Sequence, residues 1–403
     1  MQWGLLILLL ITSFSPRYLV SLSVILLFLR PNERFDLPFS VPTILYPLLF
    51  FNIVRNLKKI NKDVFDKDNK VLVLFILFIF IQSLLFSRGD LKQNVMVCLL
   101  GLLYYLNIAI VLSDKRGLGL LLYSIVFSSF LICMEPFYYH FYAPQESALW
   151  AYFHAHNRIQ AWGFWANANE TSFLACLGIA GLLLLVLTGG RQAWNIVLCL
   201  PIFAFFIMII LLTASRAGLG ALTLMFSFMI YKAKSNKLKL FVVLVMASIF
   251  IIGPSIAPER EDEEASSVER SDLRYEGRQL FKEHFLLGVG FGNTAKDNGG
   301  VPLHNTYIQA FAETGIIGGS LLLYYIYLLV RRVHLVFTSV KGNPSAETTF
   351  LLLGGIYLAG LFYFYFGNQL LSFLFFTFMA MIRSFCLVYK DVSEQKATNG
   401  CCS

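Results

Sequence analysis

Charge is what this sequence has least of. Only 14% of its 403 residues are Asp, Glu, Lys or Arg, against about a quarter in soluble globular chains. There is too little polar surface here to cover a large water-soluble domain. Motifs that announce several common chemistries are also missing: there is no P-loop to cradle a nucleotide, no GxSxG nucleophile elbow and no HExxH zinc helix. The seven cysteines show no CxxC spacing and no disulfide framework. Cys98, Cys133, Cys176, Cys199 and Cys386 lie in or beside apolar runs, where a thiol behaves as a small hydrophobe. Cys401 and Cys402 could carry a lipid or form an inert tail. No basic leader or small-residue cleavage site marks the apolar start, which reads as a first membrane element. Internal repeats, heptads and low-complexity tracts are absent.

What is present is apolar length. The chain is 57% hydrophobic with a mean hydropathy of +0.68, and runs near the roughly 20 residues needed to cross a bilayer recur along nearly all of it. The net charge of +8 excludes little by itself, but the Lys and Arg gather in short loops, as membrane orientation requires. Nucleic acid is therefore not an expected partner. Basic loops at 55–70 (with Lys58, Lys59, Lys62 and Lys67), 114–116, 232–239 and 331–341, with Arg191 as weaker support, are assigned to the cytoplasm. Spans then alternate consistently over 71–86, 94–112, 118–134, 169–188, 194–213, 217–231, 240–256, 316–330, 350–366 and 370–389, leaving the C-terminus inside. Residues 1–54 add either two spans, the first broken at 13–16, or three. The expected fold is all-α, a single polytopic membrane domain over 1–403 with about 12 transmembrane helices. The first 130 residues contribute only hydrophobicity.

This topology puts two long loops outside. One, 135–168, is aromatic and carries His140, His154 and His156; the other, 257–302, opens on the acidic patch 259–264. The larger loop continues over 269–287 in a pattern that suits an amphipathic helix, then through turns at Gly288-Val-Gly-Phe-Gly292 and 297–300. The segment 303–319 re-enters the membrane.

Ionisable residues near a membrane boundary are costly to place and so are candidates for function. Arg216 sits at an outer junction of two spans, where positive-inside bias does not account for it; the bland alternative is an Arg snorkelling to headgroups. Arg270, Arg274 and Arg278 recur every four residues and would share one helix face. Guanidinium groups are permanently charged forks suited to phosphate. Glu269, Asp272, Glu276 and Glu283 could equally make that face merely solvated. His304 can accept a proton near neutral pH, though taken alone such a residue is more often structural. Asp66-Lys67-Asp68 reads as solvated charge rather than a metal-binding DxD, and Glu261 to Glu264 as a solvated segment rather than a cation site. Asn169-Glu170-Thr171 fits a glycosylation sequon, but its place at a span start argues against use.

Together these pieces resemble the O-antigen ligase and polymerase family of bacterial envelope glycosyltransferases. His304-Asn305, nine residues, Gly315, two residues and Gly318 reproduce the family's ligase signature. Ser215-Arg216-Ala217-Gly218 is similar to its arginine motif, although Gly220 stands where the ligase form has Leu. Arg270, with Arg274 as the fallback, falls where the family places a second arginine in the large external loop. Arg158 and Asn169 resemble its external Arg followed by a Pro-Asn helix start, with Ala168 in place of Pro.

The resemblance implies a GT-C-like fold and, at the bacterial inner membrane, metal-independent transfer of a glycan from an undecaprenyl diphosphate carrier, with no cofactor. The acceptor would be a hydroxyl of lipid A core, or of a second carrier-linked glycan, on the periplasmic face. His304 would be the general base, with Arg216 and Arg270 stabilising the diphosphate. Arg274, Arg278, Arg158, Asn169, Asn305 and Tyr307 would bind substrate, while Tyr307 and Glu313 also read as supporting residues. A transporter is the alternative from another class. It is disfavoured because the candidate residues cluster at one membrane face, and mid-span positions are almost free of charge.

Overall fold

The computed structural model describes residues 9, 11–35, 40–56, 66–86, 91–154, 158–188, 193–232, 236–256, 263–297, 301, 303–341, 343–367 and 370–400. Among these residues the secondary structure is helical and no strand occurs. The long helices are α1 (Pro16–Leu29), α2 (Val41–Arg55), α3 (Lys67–Phe86), α4 (Leu91–Val111), α5 (Lys115–Tyr142), α6 (Ala168–Thr188) and α7 (Ala193–Leu212), followed by α8 (Arg216–Lys232), α9 (Asn236–Ile256), α10 (Glu263–Glu283), α11 (Thr306–Ser339), α12 (Pro344–Phe364) and α13 (Phe373–Gly400). Among the described residues, the apolar runs read as spans are helical over most of their length. Six helices, α3, α4, α5, α6, α11 and α12, are long and apolar enough to cross a membrane. In lipid a helix is favoured because it satisfies its own backbone polar groups.

Residues 11–13 and α1 are helical on either side of a break at Phe14-Ser15, where Pro16 starts a new helix because its missing N–H costs nothing at the first turn. In the large loop, α10 is helical close to where amphipathic periodicity puts it, with Leu273 and Gly277 buried and most charged positions exposed.

Small residues let helices approach closely. In the α8/α12 pair, a side chain at Gly220 would meet Phe362 at 2.6 Å, one at Gly355 the Met225 carbonyl at 2.6 Å, and one at Gly354 Phe228 at 2.8 Å. Contacts running 220 to 362, 225 to 355 and 228 to 354 make the two helices antiparallel, so the start of α8 lies beside the end of α12.

At the opposite end of α11, acidic residues at the start of α3 meet basic ones. Arg332 pairs with Asp66 and Asp68, and Arg383 of α13 lies 3.1 Å from Asp66. The Asp68 and Arg383 side chains are 7% and 0% exposed. The reading of Asp66-Lys67-Asp68 as solvated charge is therefore corrected. Next to this network Tyr105 donates to Asn69 at 2.7 Å and lies 3.1 Å from the Tyr325 hydroxyl.

Candidate functional site

Arg216 begins α8, and its helix start is built from short polar bonds. The Ser215 hydroxyl accepts from the Gly218 N–H at 3.1 Å, which caps the helix, and donates to the Asn169 side-chain oxygen at 2.7 Å. Arg158 donates to the same oxygen at 3.3 Å and, through Nε, to the Thr213 carbonyl at 2.8 Å. Ser215 and Asn169 are buried while Arg216 is exposed. Arg158 and Asn169 thus hold the corner from which Arg216 projects. Asn169, buried and bonded, is also poorly placed for glycosylation. Gly218 is required by packing, since a Cβ there would sit 1.6 Å from the Ser172 hydroxyl. Gly220, the departure from the ligase pattern, has a local reason: Phe362 already occupies the space a leucine would fill.

The signature segment is a helix with a break in it. His304 adopts a left-handed backbone, φ 49°, uncommon for a side-chain-bearing residue. Asn305 then caps α11, its side-chain oxygen accepting from the Tyr307 and Ile308 N–H groups at 3.1 and 2.9 Å. The helix runs to Thr314, breaks at Gly315 (φ 63°, ψ −166°) and resumes to Ser339. Residues 285–290 lie against the break: Val289 and Gly290 N–H groups donate to the Ala312 and Glu313 carbonyls, each at 3.0 Å, and the Ile316 N–H donates to the Phe285 carbonyl at 2.8 Å. The two backbones approach so closely that a Cβ on Gly315 would lie 2.3 Å from the Leu286 oxygen, and one on Gly288 2.3 Å from the Glu313 carbonyl carbon. The spacing from His304 to Gly315 is therefore the length of one short helix ending in a break that a glycine must occupy.

Helix α10 lies over this segment. A Cβ at Gly277 would meet Ile308 at 2.6 Å and Leu303 at 2.8 Å, and Arg270 and Leu273 fall on the same side of α10 as Gly277. Burial, then the Arg270 charge, push the His304 imidazole below its ordinary protonation range, while Glu269 opposes them. Arg274 reaches across to the end of α12: Nη1 donates to the Tyr365 hydroxyl at 3.3 Å, and its guanidinium lies 5.8 Å from that ring. Arg278 is exposed and bonds back to the Arg274 carbonyl at 3.1 Å.

These parts meet around the end of α12. Thr306 donates to the Gly367 carbonyl at 2.8 Å and Tyr307 to the Leu361 carbonyl at 2.9 Å. Arg274 reaches Tyr365, and Phe362 packs on Gly220 one turn after Arg216. A helix C-terminus presents unpaired carbonyls and a partial negative charge, so arginines gathered there are stabilised by it. The aromatic loop supplies a separate pair, His140 and His154, whose ring nitrogens are 2.7 Å apart. His156, Pro302, Arg191, Lys58, Lys59, Lys62, the patch side chains Glu259 to Glu264, and Cys401 and Cys402 lie outside the described residues and side chains.

Several supporting residues come from the segment read as contributing only hydrophobicity. Gln82 of α3 donates to the Leu287 carbonyl and, at 2.7 Å, to the Glu313 carbonyl, pinning both sides of the break. Asn94 donates to the Phe291 carbonyl at 2.9 Å. Glu33 accepts the Phe164 N–H at 3.0 Å and, with its carbonyl, the Trp162 indole N–H at 3.0 Å, tethering the loop that carries Arg158. An isolated polar residue inside an apolar run was the available signal for Gln82, whereas Asn94 follows Lys92 and Gln93 at the start of its run and gave none. Buried Glu313 accepts from Thr294 at 2.6 Å and from Gln309 at 3.2 Å.

Comparison with the curated proteins finds no match. Residues 175–323, which include Arg216, α10 and the His304 to Gly318 segment, match the family model described as O-Antigen ligase. This stretch, set among helices long and apolar enough to cross a membrane, is similar to the O-antigen ligase family.

Proposed function

We propose that the protein is a periplasm-facing glycosyltransferase that moves a glycan from undecaprenyl diphosphate to an acceptor hydroxyl, most simply as an O-antigen ligase acting on lipid A core. The observation that carries this reading is the convergence of Arg216, Arg274 and the His304 segment on the end of α12, with α10 bringing Arg270 to His304. The acceptor oxygen attacks the anomeric carbon as its proton passes to the His304 imidazole. The bond between that carbon and the diphosphate oxygen breaks, and the diphosphate leaves with its electron pair. Arg216 and Arg270 stabilise the charge that develops, and one displacement inverts the anomeric centre. A depressed imidazole is unprotonated at neutral pH, as a general base requires. Arg158, Asn169 and Ser215 hold Arg216 in place, while Asn305 and Tyr307 fix the helix start behind His304.

A polymerase of the same family, with a second carrier-linked glycan as acceptor, is favoured by Gly220, which departs from the ligase pattern. Purified protein in proteoliposomes, given a polyprenyl diphosphate glycan and both acceptors, separates the two by product. His304→Ala, Arg216→Ala and Arg270→Ala are each expected to lower turnover by about 100-fold or more, with insertion intact. Wild-type turnover in any of them would remove that residue from the mechanism.

A further inference from the structure

At the end of α11 away from His304, a groove of about 410 Å³ opens between α11 and α12. Its walls are apolar, Val333 and Phe337 on one side and Phe350, Leu351 and Leu358 on the other, with Gly354 leaving room at the base. Its rim is polar, with Lys341 as its cation. His334, on α11, and Lys341, two residues past its end, are both exposed, and no carboxylate is among the described residues that line the groove. Arg331, also exposed, lies one turn before His334. Leu358 is 41% exposed, so the trough opens sideways toward the hydrocarbon that surrounds a membrane helix.

We infer that this groove binds an anionic phospholipid of the surrounding bilayer, with one acyl chain in the trough and the phosphate on Lys341 and His334. A concave apolar surface at bilayer depth is filled by hydrocarbon, and the basic rim selects the headgroup. A Lys or Arg near an anionic membrane surface favours it by roughly fivefold, and a flexible lysine stem can lie along apolar wall while its ammonium meets the phosphate. A second apolar cavity, about 500 Å³ beside α1 and α13, makes a useful contrast. Arg30, the one cation among its described lining residues, pairs with Glu33 and sits against the rings of Phe164 and Phe373 at 4.6 and 5.3 Å. Its charge is already met, whereas the rim of the α11/α12 groove faces outward. The site is remote from the proposed chemistry, and its occupancy does not depend on the glycosyltransferase reading.

The test is native mass spectrometry of full-length protein equilibrated with phosphatidylglycerol or phosphatidylcholine. Wild type is expected to retain phosphatidylglycerol about tenfold better. The double variant His334→Gln, Lys341→Gln should lose that preference to twofold or less while unfolding at the wild-type temperature in phosphatidylcholine. Leu358→Trp, which fills the mouth of the trough, should lower retention of both lipids. Equal retention of the two lipids by wild type would overturn the inference. So would a preference that survives the double substitution, or a dimer that forms without bound lipid.

Discussion

His304 owes its proposed role to neighbours that act on its proton in opposite directions. Burial and Arg270 disfavour the imidazolium, and Glu269 favours it. The base form is present above the depressed folded value and is lost as pH falls through it, so the acidic limb of turnover should lie below the ordinary histidine range. Removing the anion with Glu269→Gln should move that limb to still lower pH. Removing the cation with Arg270→Gln should move the limb of the residual activity upward. A pH–rate profile of the three proteins checks this, and limbs that coincide would detach His304 from the titration. Glu269 and Arg270 are adjacent in sequence, but their effect on a residue over thirty positions away was not legible there. Residue type and spacing named His304 and Arg270; only the packing of α10 on Leu303 and Ile308 relates them.

The break in α11 shows where local pattern ends and tertiary pairing begins. The hydrophobic run over 316–330 is plain in the sequence, and the signature spacing singles out Gly315. The reason for that glycine lies in residues 285–290 and in Gln82, one of them some 230 positions distant in the chain. Gly315→Ala forces a side chain into a left-handed conformation and into the Leu286 carbonyl, 2.3 Å away. Backbone strain of this kind costs roughly 1–3 kcal/mol before the contact is relieved. The expected outcome is a lower unfolding temperature in detergent together with loss of transfer, because the break sets where the short helix behind His304 ends. Gln82→Leu removes two bonds to the same break without backbone strain, and should lower turnover with a smaller change in unfolding temperature. If Gly315→Ala unfolds like wild type, the break is not held as described.

Across the whole molecule, charge is divided between two ends. One gathers arginines and a histidine at the α12 terminus; the other binds the start of α3 to α11 and α13 through Asp66, Asp68, Arg332 and Arg383. The sequence could not disclose the second arrangement, since the paired groups are 264 and 317 positions apart, and a DxD in a basic loop reads as surface charge. Buried pairs of this kind add little net stability when complete, but removing one partner strands a charge at a cost of roughly 3–5 kcal/mol. Arg332→Gln, which strands the Asp68 carboxylate, should therefore lower the unfolding temperature markedly, and Asp68→Asn should lower it less, because Arg332 keeps Asp66. The double variant should cost clearly less than the sum, because it removes both charges of the pair. Since this network lies at the end of α11 remote from His304, the protein that remains folded should transfer glycan at close to the wild-type rate at low temperature. Additive losses in the cycle would mean that Asp68 and Arg332 are held by other partners. A fall in turnover without a fall in unfolding temperature would tie this end of the bundle to the chemistry at the other.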